Sequence, residues 1–214
     1  MINVKAYSLG PIQTNCYIVS NKQKDCIIFD PGEESSKIIK AIRTTQLNPK
    51  AIFLTHAHFD HIGAVEDLRE EFNVPLYIHE KEVNWLIDPL KNGSGRYAEL
   101  PNYIVKKPEK EHIIYKEQLF NIAGFSFKAV FTPGHSPGSI SYIFEEDGFA
   151  IVGDTLFEGS IGRTDLLGGS HKELLKSIHE KLLVLPEDTI IYPGHGSYTT
   201  PAQEMDSNPF LNGF

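Results

Sequence analysis

Three histidines and an aspartate crowd into six residues, His56-Ala57-His58-Phe59-Asp60-His61. A single histidine would pass as an ordinary surface or core residue, but donors at this density have the pattern of a metal site. Three later donors sit in comparable settings. His135 lies in Thr132-Pro133-Gly134-His135-Ser136-Pro137-Gly138, Asp154 follows Ile151-Val152-Gly153, and His195 lies in Tyr192-Pro193-Gly194-His195-Gly196. Imidazole nitrogen with carboxylate oxygen suits Zn, Fe, Mn or Ni better than Ca or Mg. Two histidines two residues apart can both reach one ion from an irregular turn. The adjacent Asp60-His61 pair can project toward a second ion, and Asp154, with two carboxylate oxygens, can bridge both. The flanking glycines let the backbone turn tightly beside such a site.

These donors need elements to carry them. Apolar runs predict strands at Val4 to Leu9, Cys16 to Val19, Cys26 to Phe29, Ala51 to Leu54 and Pro75 to Ile78. Ile38, Ile39 and Ile42 mark one helix, and Val65, Leu68 and Phe72 mark another that starts near the histidine-rich segment. Residues Asp88 to Pro108 are polar, hold Gly93, Gly95, Pro101 and Pro108, and read as a long loop that is either functional or a solvated connection. The second half predicts strands at His112 to Tyr115, Leu119 to Ile122, Phe125 to Phe131, Ser141 to Phe144, Phe149 to Val152 and Thr189 to Tyr192. A helix spans about His171 to Leu183, with Ser170 and Glu173 as a capping-box pair. Each donor group falls where a strand ends and a glycine-rich turn begins, which is where open α/β sheets place ligands. One α/β domain with helices outside a pair of sheets is expected.

The formal charge of −8, from 28 acidic and 20 basic residues, lacks the electrostatic footprint for gripping phosphate backbones, so nucleic acid is not expected. No apolar run approaches the length of a bilayer span, and the first residues read as a strand rather than a signal peptide. A cytoplasmic protein with no membrane partner is expected. Cys16 and Cys26 could lie on neighbouring strands, where a bridge is open to them, but two buried reduced thiols are the preferred reading.

Taken together, the histidine-rich segment and the later His and Asp settings resemble the metallo-β-lactamase superfamily, with matching pieces from Asp30 through His195. The resemblance implies a four-layer αββα sandwich and a single hydrolase domain over residues 1–214. It implies two divalent metal ions, zinc first, with iron or manganese also suited. His56, His58 and His135 would hold one, Asp60, His61 and His195 the other, and Asp154 would bridge them. Asp30, in Asp-Pro-Gly, would accept a hydrogen bond from a ligating imidazole, or is simply a turn-forming aspartate. His79, His112, His171 and His179 lack such settings and read as structural or solvated.

Within the superfamily the chain resembles the glyoxalase II group, through Thr55 to His61, Gly153-Asp154-Thr155-Leu156-Phe157, Gly159 to Asp165, Pro193-Gly194-His195-Gly196 and Asn208-Pro209-Phe210-Leu211. The resemblance implies hydrolysis of a small-molecule acyl thioester such as S-lactoylglutathione by a metal-bridging hydroxide, with Asp60 orienting the nucleophile. Only 19 residues follow His195, so the helical C-terminal region with which longer glyoxalase II proteins bind glutathione is not expected. Arg163 is a candidate for holding a substrate carboxylate, set against an internal pair with Asp165. Two other readings stay open: a persulfide dioxygenase with a single iron, and a superfamily hydrolase acting on lactones, β-lactams or phosphodiesters. Native metal, thiol carrier and oligomeric state are not legible.

Overall fold

The apolar runs of the first half pair as strands in chain order. In the computed structural model, which describes residues 2–99 and 101–211, they are β1 (Asn3–Leu9), β2 (Thr14–Ser20), β3 (Asp25–Phe29), β4 (Asn48–Phe53), β5 (Leu76–His79) and β6 (Ile113–Ile114). They form one mixed sheet in the order β1-β2-β3-β4-β5-β6. The first three are antiparallel, because short turns join them. From β3 onward the strands are parallel, which requires crossovers. Helix α1 (Ser35–Thr45) makes the first crossover. The short α2 (Phe59–Ile62) and α3 (Val65–Phe72) make the second. Ile38 and Ile42 of α1 and Val65 and Leu68 of α3 join Ile28 and Ile52 in one buried core. Each such side chain contributes about 1.5–3 kcal/mol through burial. Every residue of β2 is buried, so that strand shows no inside–outside alternation in sequence.

The segment after Asp88 is more ordered than its composition predicts. Asp88 Oδ1 caps α4 (Pro89–Asn92) by accepting from Leu90 N at 3.1 Å. Buried Asn92 then ties the segment together. Its Nδ2 donates to Trp85 O (3.1 Å) and Tyr103 O (2.9 Å), while its Oδ1 accepts from Ser94 N (3.0 Å) and Ser94 Oγ (2.8 Å). One saturated amide does the ordering that apolar periodicity does elsewhere, so no pattern announces it.

In the second half β7 (Gln118–Ile122), β8 (Phe125–Phe131), β9 (Ile140–Phe144) and β10 (Phe149–Gly153) precede a two-stranded hairpin of β11 (Leu156–Phe157) and β12 (Ser160–Ile161). Helix α5 (His171–Ser177), β13 (Ile190–Pro193) and α6 (Pro201–Ser207) follow. The sheet order is β13-β10-β9-β8-β7, with β10 and β13 parallel across the α5 crossover. Ser170 Oγ caps α5 by accepting from Glu173 N at 3.3 Å. The α-helix predicted to Leu183 stops at Ser177, and a π-helical turn covers Ile178–Leu182. Leu174, Ile178 and Leu182 pack with Val152 and Ile191. The β11–β12 hairpin and α6 were not expected from sequence. By contacts the chain divides into two compact units, Met1–Tyr115 with Ile122–Phe125, and Lys116–Asn121 with Ser126–Phe214. Among the described residues no helix is long and apolar enough to cross a membrane.

Candidate metal centre

In the first unit the histidine-rich segment leaves β4 and enters α2, so His56, His58, Asp60 and His61 are gathered by a single turn. All four are at least nine-tenths buried. The rings of His56 and His61 lie 4.1 Å apart and those of His56 and His58 4.7 Å. Asp30, at the end of β3, organises them. Its Oδ1 accepts from Thr55 N (2.8 Å) and its Oδ2 from Thr55 Oγ1 (2.6 Å). Because the Thr55 hydroxyl proton goes to Asp30, His56 Nδ1, 3.1 Å from Thr55 Oγ1, must be the donor in that contact. The proton of His56 therefore sits on Nδ1, which leaves the Nε2 lone pair for a ligand. Asp30 Oδ2 also lies 3.0 Å from His61 Nδ1. Asp30 holds a left-handed φ of 47°, a conformation costly for a side-chain-bearing residue. Two further contacts fix the turn. Thr14 Oγ1 donates to Asp60 Oδ2 at 2.7 Å, and Ala57 N, between two of the histidines, donates to buried Glu82 Oε2 at 2.6 Å. Gly32 admits the turn: a Cβ there would lie 1.9 Å from Asp60 O.

In the second unit the donors come from separate strand ends. Asp154 follows β10, where the register against β13 shifts between Ile151 and Gly153; such a bulge re-aims the next side chain. His195 follows β13. His135 lies between β8 and β9, and its Nδ1 is 2.8 Å from Arg163 O. A carbonyl only accepts, so this ring too carries its proton on Nδ1. Asp154 Oδ2 lies 3.6 Å from His135 Nε2 and 3.6 Å from His195 Nε2. Gly162 matches Gly32: a Cβ there would meet Asp154 O at 1.8 Å.

Both clusters pass the same chemical test. In the first, His61 Nε2 stands 3.3 Å from Asp60 Oδ2. In the second, the lone pair on His135 Nε2 faces a carboxylate at 3.6 Å with no proton to share. The second separation is too long for a hydrogen bond. Two ligand atoms bound to one tetrahedral ion at about 2.1 Å each stand about 3.4 Å apart. The donors are thus spaced and protonated for a divalent cation, and His and Asp groups able to hold one are present.

The remaining sequence candidates divide. The Arg163 guanidinium is engaged by Asp165 through two hydrogen bonds of 2.8 and 2.7 Å, and these hold the exposed Asp165 carboxyl down at about 2. What Arg163 gives the cluster is its carbonyl. His79 is buried and caps the next turn by accepting from Lys81 N at 3.0 Å. His171 and His179 are exposed on their helices, and His112 lies edge-on to Tyr77. Cys16 and Cys26 are free and buried, and burial lifts both thiols, Cys26 to about 12. Sequence reasoning missed Thr14, Glu82 and the Arg163 carbonyl. Thr14 and Glu82 are polar residues distant in sequence from their partners, and no spacing rule marks a carbonyl.

Similarity to known proteins bears on this geometry. The chain is 51% identical over 207 residues to a Bacillus subtilis (strain 168) protein named a probable metallo-hydrolase, covering 96% of each. It is 38% identical over 211 residues to a hydroxyacylglutathione hydrolase of Haemophilus influenzae, covering 99% of each. Among solved structures, a B3 metallo-beta-lactamase superposes over 100% of both chains with a TM-score of 0.95 and 50% identity. The family model of the metallo-beta-lactamase superfamily matches residues 9–195, a span that contains every donor described above. With that match and these relatives, the chain belongs to the metallo-beta-lactamase superfamily and has its α/β fold and its metallo-hydrolase character.

Proposed function

We propose that the protein hydrolyses acyl thioesters of the S-lactoylglutathione type, with the two donor clusters acting as one centre for two divalent cations in a single functional domain. In this reading His56, His58 and His135 hold one ion, Asp60, His61 and His195 the other, and Asp154 both. Zinc is the first candidate, with iron or manganese also suited to these donors. The observation that carries the reading is the 38% identity to a hydroxyacylglutathione hydrolase across 99% of both chains, in a protein that keeps seven His and Asp donors.

Bound cations would lower the pKa of water toward neutrality and polarise an acyl carbonyl. The chain's own residues do the aiming. Asp30 and Thr55 keep His56 in the tautomer that exposes Nε2, and Arg163 O does the same for His135. Thr14 fixes one oxygen of Asp60, so that its carboxylate is oriented to hold the attacking water. A thiol leaving group, with a pKa of about 8.5, departs as the thiolate without a strong general acid. No serine or cysteine nucleophile is required, and both cysteines are buried thiols, which suits a reducing, cytoplasmic setting.

One observation favours a second reading. The 50% identity to a structure described as a B3 metallo-beta-lactamase supports hydrolysis of a β-lactam amide by the same donors. The deciding experiment is a kinetic screen of metal-reconstituted protein against S-lactoylglutathione, other acyl thioesters, a lactone and a chromogenic β-lactam, with oxygen uptake followed on a persulfide. Thioester hydrolysis with the highest kcat/KM is expected. A higher kcat/KM on the β-lactam would replace the first reading with the second. Oxygen consumption with one iron per chain would overturn both.

A further inference from the structure

The tail motif Asn208-Pro209-Phe210-Leu211 plays no part in the chemistry above, and it leads to a carboxylate that does not touch the donors. Glu204 of α6 is fully buried. Its Oε2 accepts from Gly159 N (3.0 Å) and from Asn208 Nδ2 (2.7 Å). Its Oε1 accepts from Thr199 Oγ1. Asn208 Nδ2 also donates to Ser160 O at 3.1 Å. Gly159, in the β11–β12 turn, and Ser160, which opens β12, lie five and six residues beyond Asp154. Thr199 lies four residues beyond His195 and pairs with Ile191 through Ile191 N to Thr199 O (2.8 Å) and Thr199 N to Ile191 O (3.1 Å). The two segments that leave the donors therefore end on one carboxylate. Leu211 closes the arrangement by packing in the core with Leu156 and Ile161.

We propose that Glu204 is a positioning residue for Asp154 and His195. It fixes the hairpin after the first and the return loop after the second, so that Asp154 Oδ2 and His195 Nε2 keep the spacing a shared cation needs. The inference rests on reading Asp154 and His195 as metal ligands, but the brace itself is defined without a metal. Removing a buried side chain that accepts three hydrogen bonds costs the fold heavily, because its donors are stranded. The carboxamide isostere avoids that cost. The oxygen of a glutamine can take the place of Oε2 for Gly159 and Asn208, and its NH2 can donate to Thr199 Oγ1, whose hydroxyl also accepts.

The test uses the full chain as wild type, Glu204→Ala, Glu204→Gln and Thr199→Val, with two readouts. Zinc affinity is measured on metal-free protein by competition with a chromophoric chelator, and amide hydrogen exchange is measured on metal-free protein alone. Glu204→Ala is expected to weaken zinc binding by about 10–100-fold, the usual cost of losing a group that orients a ligand. It should speed exchange in residues 154–161 and 194–199 while β8 and β9 stay protected. Glu204→Gln should restore both readouts to near wild type. Should Glu204→Ala not fold, Thr199→Val, which removes one of the three donors, is expected to give the same local exchange pattern with a smaller loss of zinc affinity. Wild-type zinc affinity in the folded Ala and Val variants would overturn the proposal. So would exchange that rises evenly across the second unit, or a Gln variant as impaired as the Ala variant. Wild-type protein that takes up no zinc, iron or manganese would sink the metal reading instead, while the exchange pattern still decides on the brace.

Discussion

In the first unit four donors come from six consecutive residues and are aimed by side chains: Asp30 and Thr55 behind the imidazoles, Thr14 on Asp60. In the second, three donors come from three strand ends and are aimed by main chain, with Arg163 O on His135 and a bulge before Asp154. The difference is one of substitutability. A side chain that orients a ligand can be replaced, and the tautomer it enforces can be inverted by one mutation. A carbonyl cannot be mutated away, so the tautomer of His135 is protected from the substitution that would invert that of His56. The weak point of the second cluster is the path of the chain, which three separate loops must hold.

Removing a donor should erase this distinction and give the largest effect. Asp154→Ala is expected to lose bound metal and activity together, beyond the roughly 10–100-fold that loss of an orienting group costs. His179→Ala, on an exposed helix face, should change neither. Metal analysis after gel filtration with a kcat/KM measurement checks both, and an Asp154→Ala protein with full metal content would break the account of the second cluster.

The comparison sharpens one step behind the donors. Asp30→Asn keeps an oxygen for Thr55 N but places an NH2 toward Thr55 Oγ1 and His61 Nδ1, reversing the direction of those contacts. Metal affinity should fall about 10–100-fold with the fold kept. Arg163→Ala removes the guanidinium but not the carbonyl that holds His135, so metal affinity should stay close to wild type. Chelator competition on the two variants distinguishes them. Equal losses would mean that side chains aim both clusters. A raised KM in Arg163→Ala, with metal unchanged, would show that the guanidinium leaves Asp165 to hold substrate.

Where the two clusters are alike, they should fail alike. Gly32 and Gly162 each let a donor's carbonyl approach within 2 Å of where a Cβ would be, at 1.9 and 1.8 Å. Either Gly→Ala change forces the donor segment to move and should cost about 1–3 kcal/mol of stability, read from urea midpoints of metal-free protein. A tolerated alanine at one position only would mean that the two turns are not equivalent.

The donors were legible in the sequence because they fall in dense, glycine-flanked settings at the ends of apolar runs. The strands were legible because runs such as Cys26 to Phe29 and Phe125 to Phe131 are short, rich in β-branched or aromatic residues and bounded by turn residues. What aims the donors was less legible. Thr14 and Glu82 meet their partners 46 and 25 residues away, and neither lies on a periodic pattern. The β11–β12 hairpin has only two residues in each strand, too few for alternation to register. The ordered segment after Asp88 depends on the four contacts of Asn92, an amide that composition counts as loop-forming. Burial follows patterns that repeat, whereas polar satisfaction is settled by single tertiary contacts.

The smallest effect is the acid sensitivity that one buried histidine gives the fold. His79, in the first unit, is pushed down to about 4 by burial, with Lys81 adding to the shift, whereas an unfolded histidine titrates near pH 6.5. Between those values the unfolded chain binds the extra proton and the folded chain does not. Its contribution to stability is therefore complete above about pH 6.5 and is lost as pH falls toward 4. His79→Asn keeps a side-chain acceptor for Lys81 N and removes the titration. In metal-free protein, the drop in urea midpoint from pH 7 to pH 5 should be smaller for His79→Asn than for wild type. An identical drop in both would mean that His79 is not the source of the acid sensitivity.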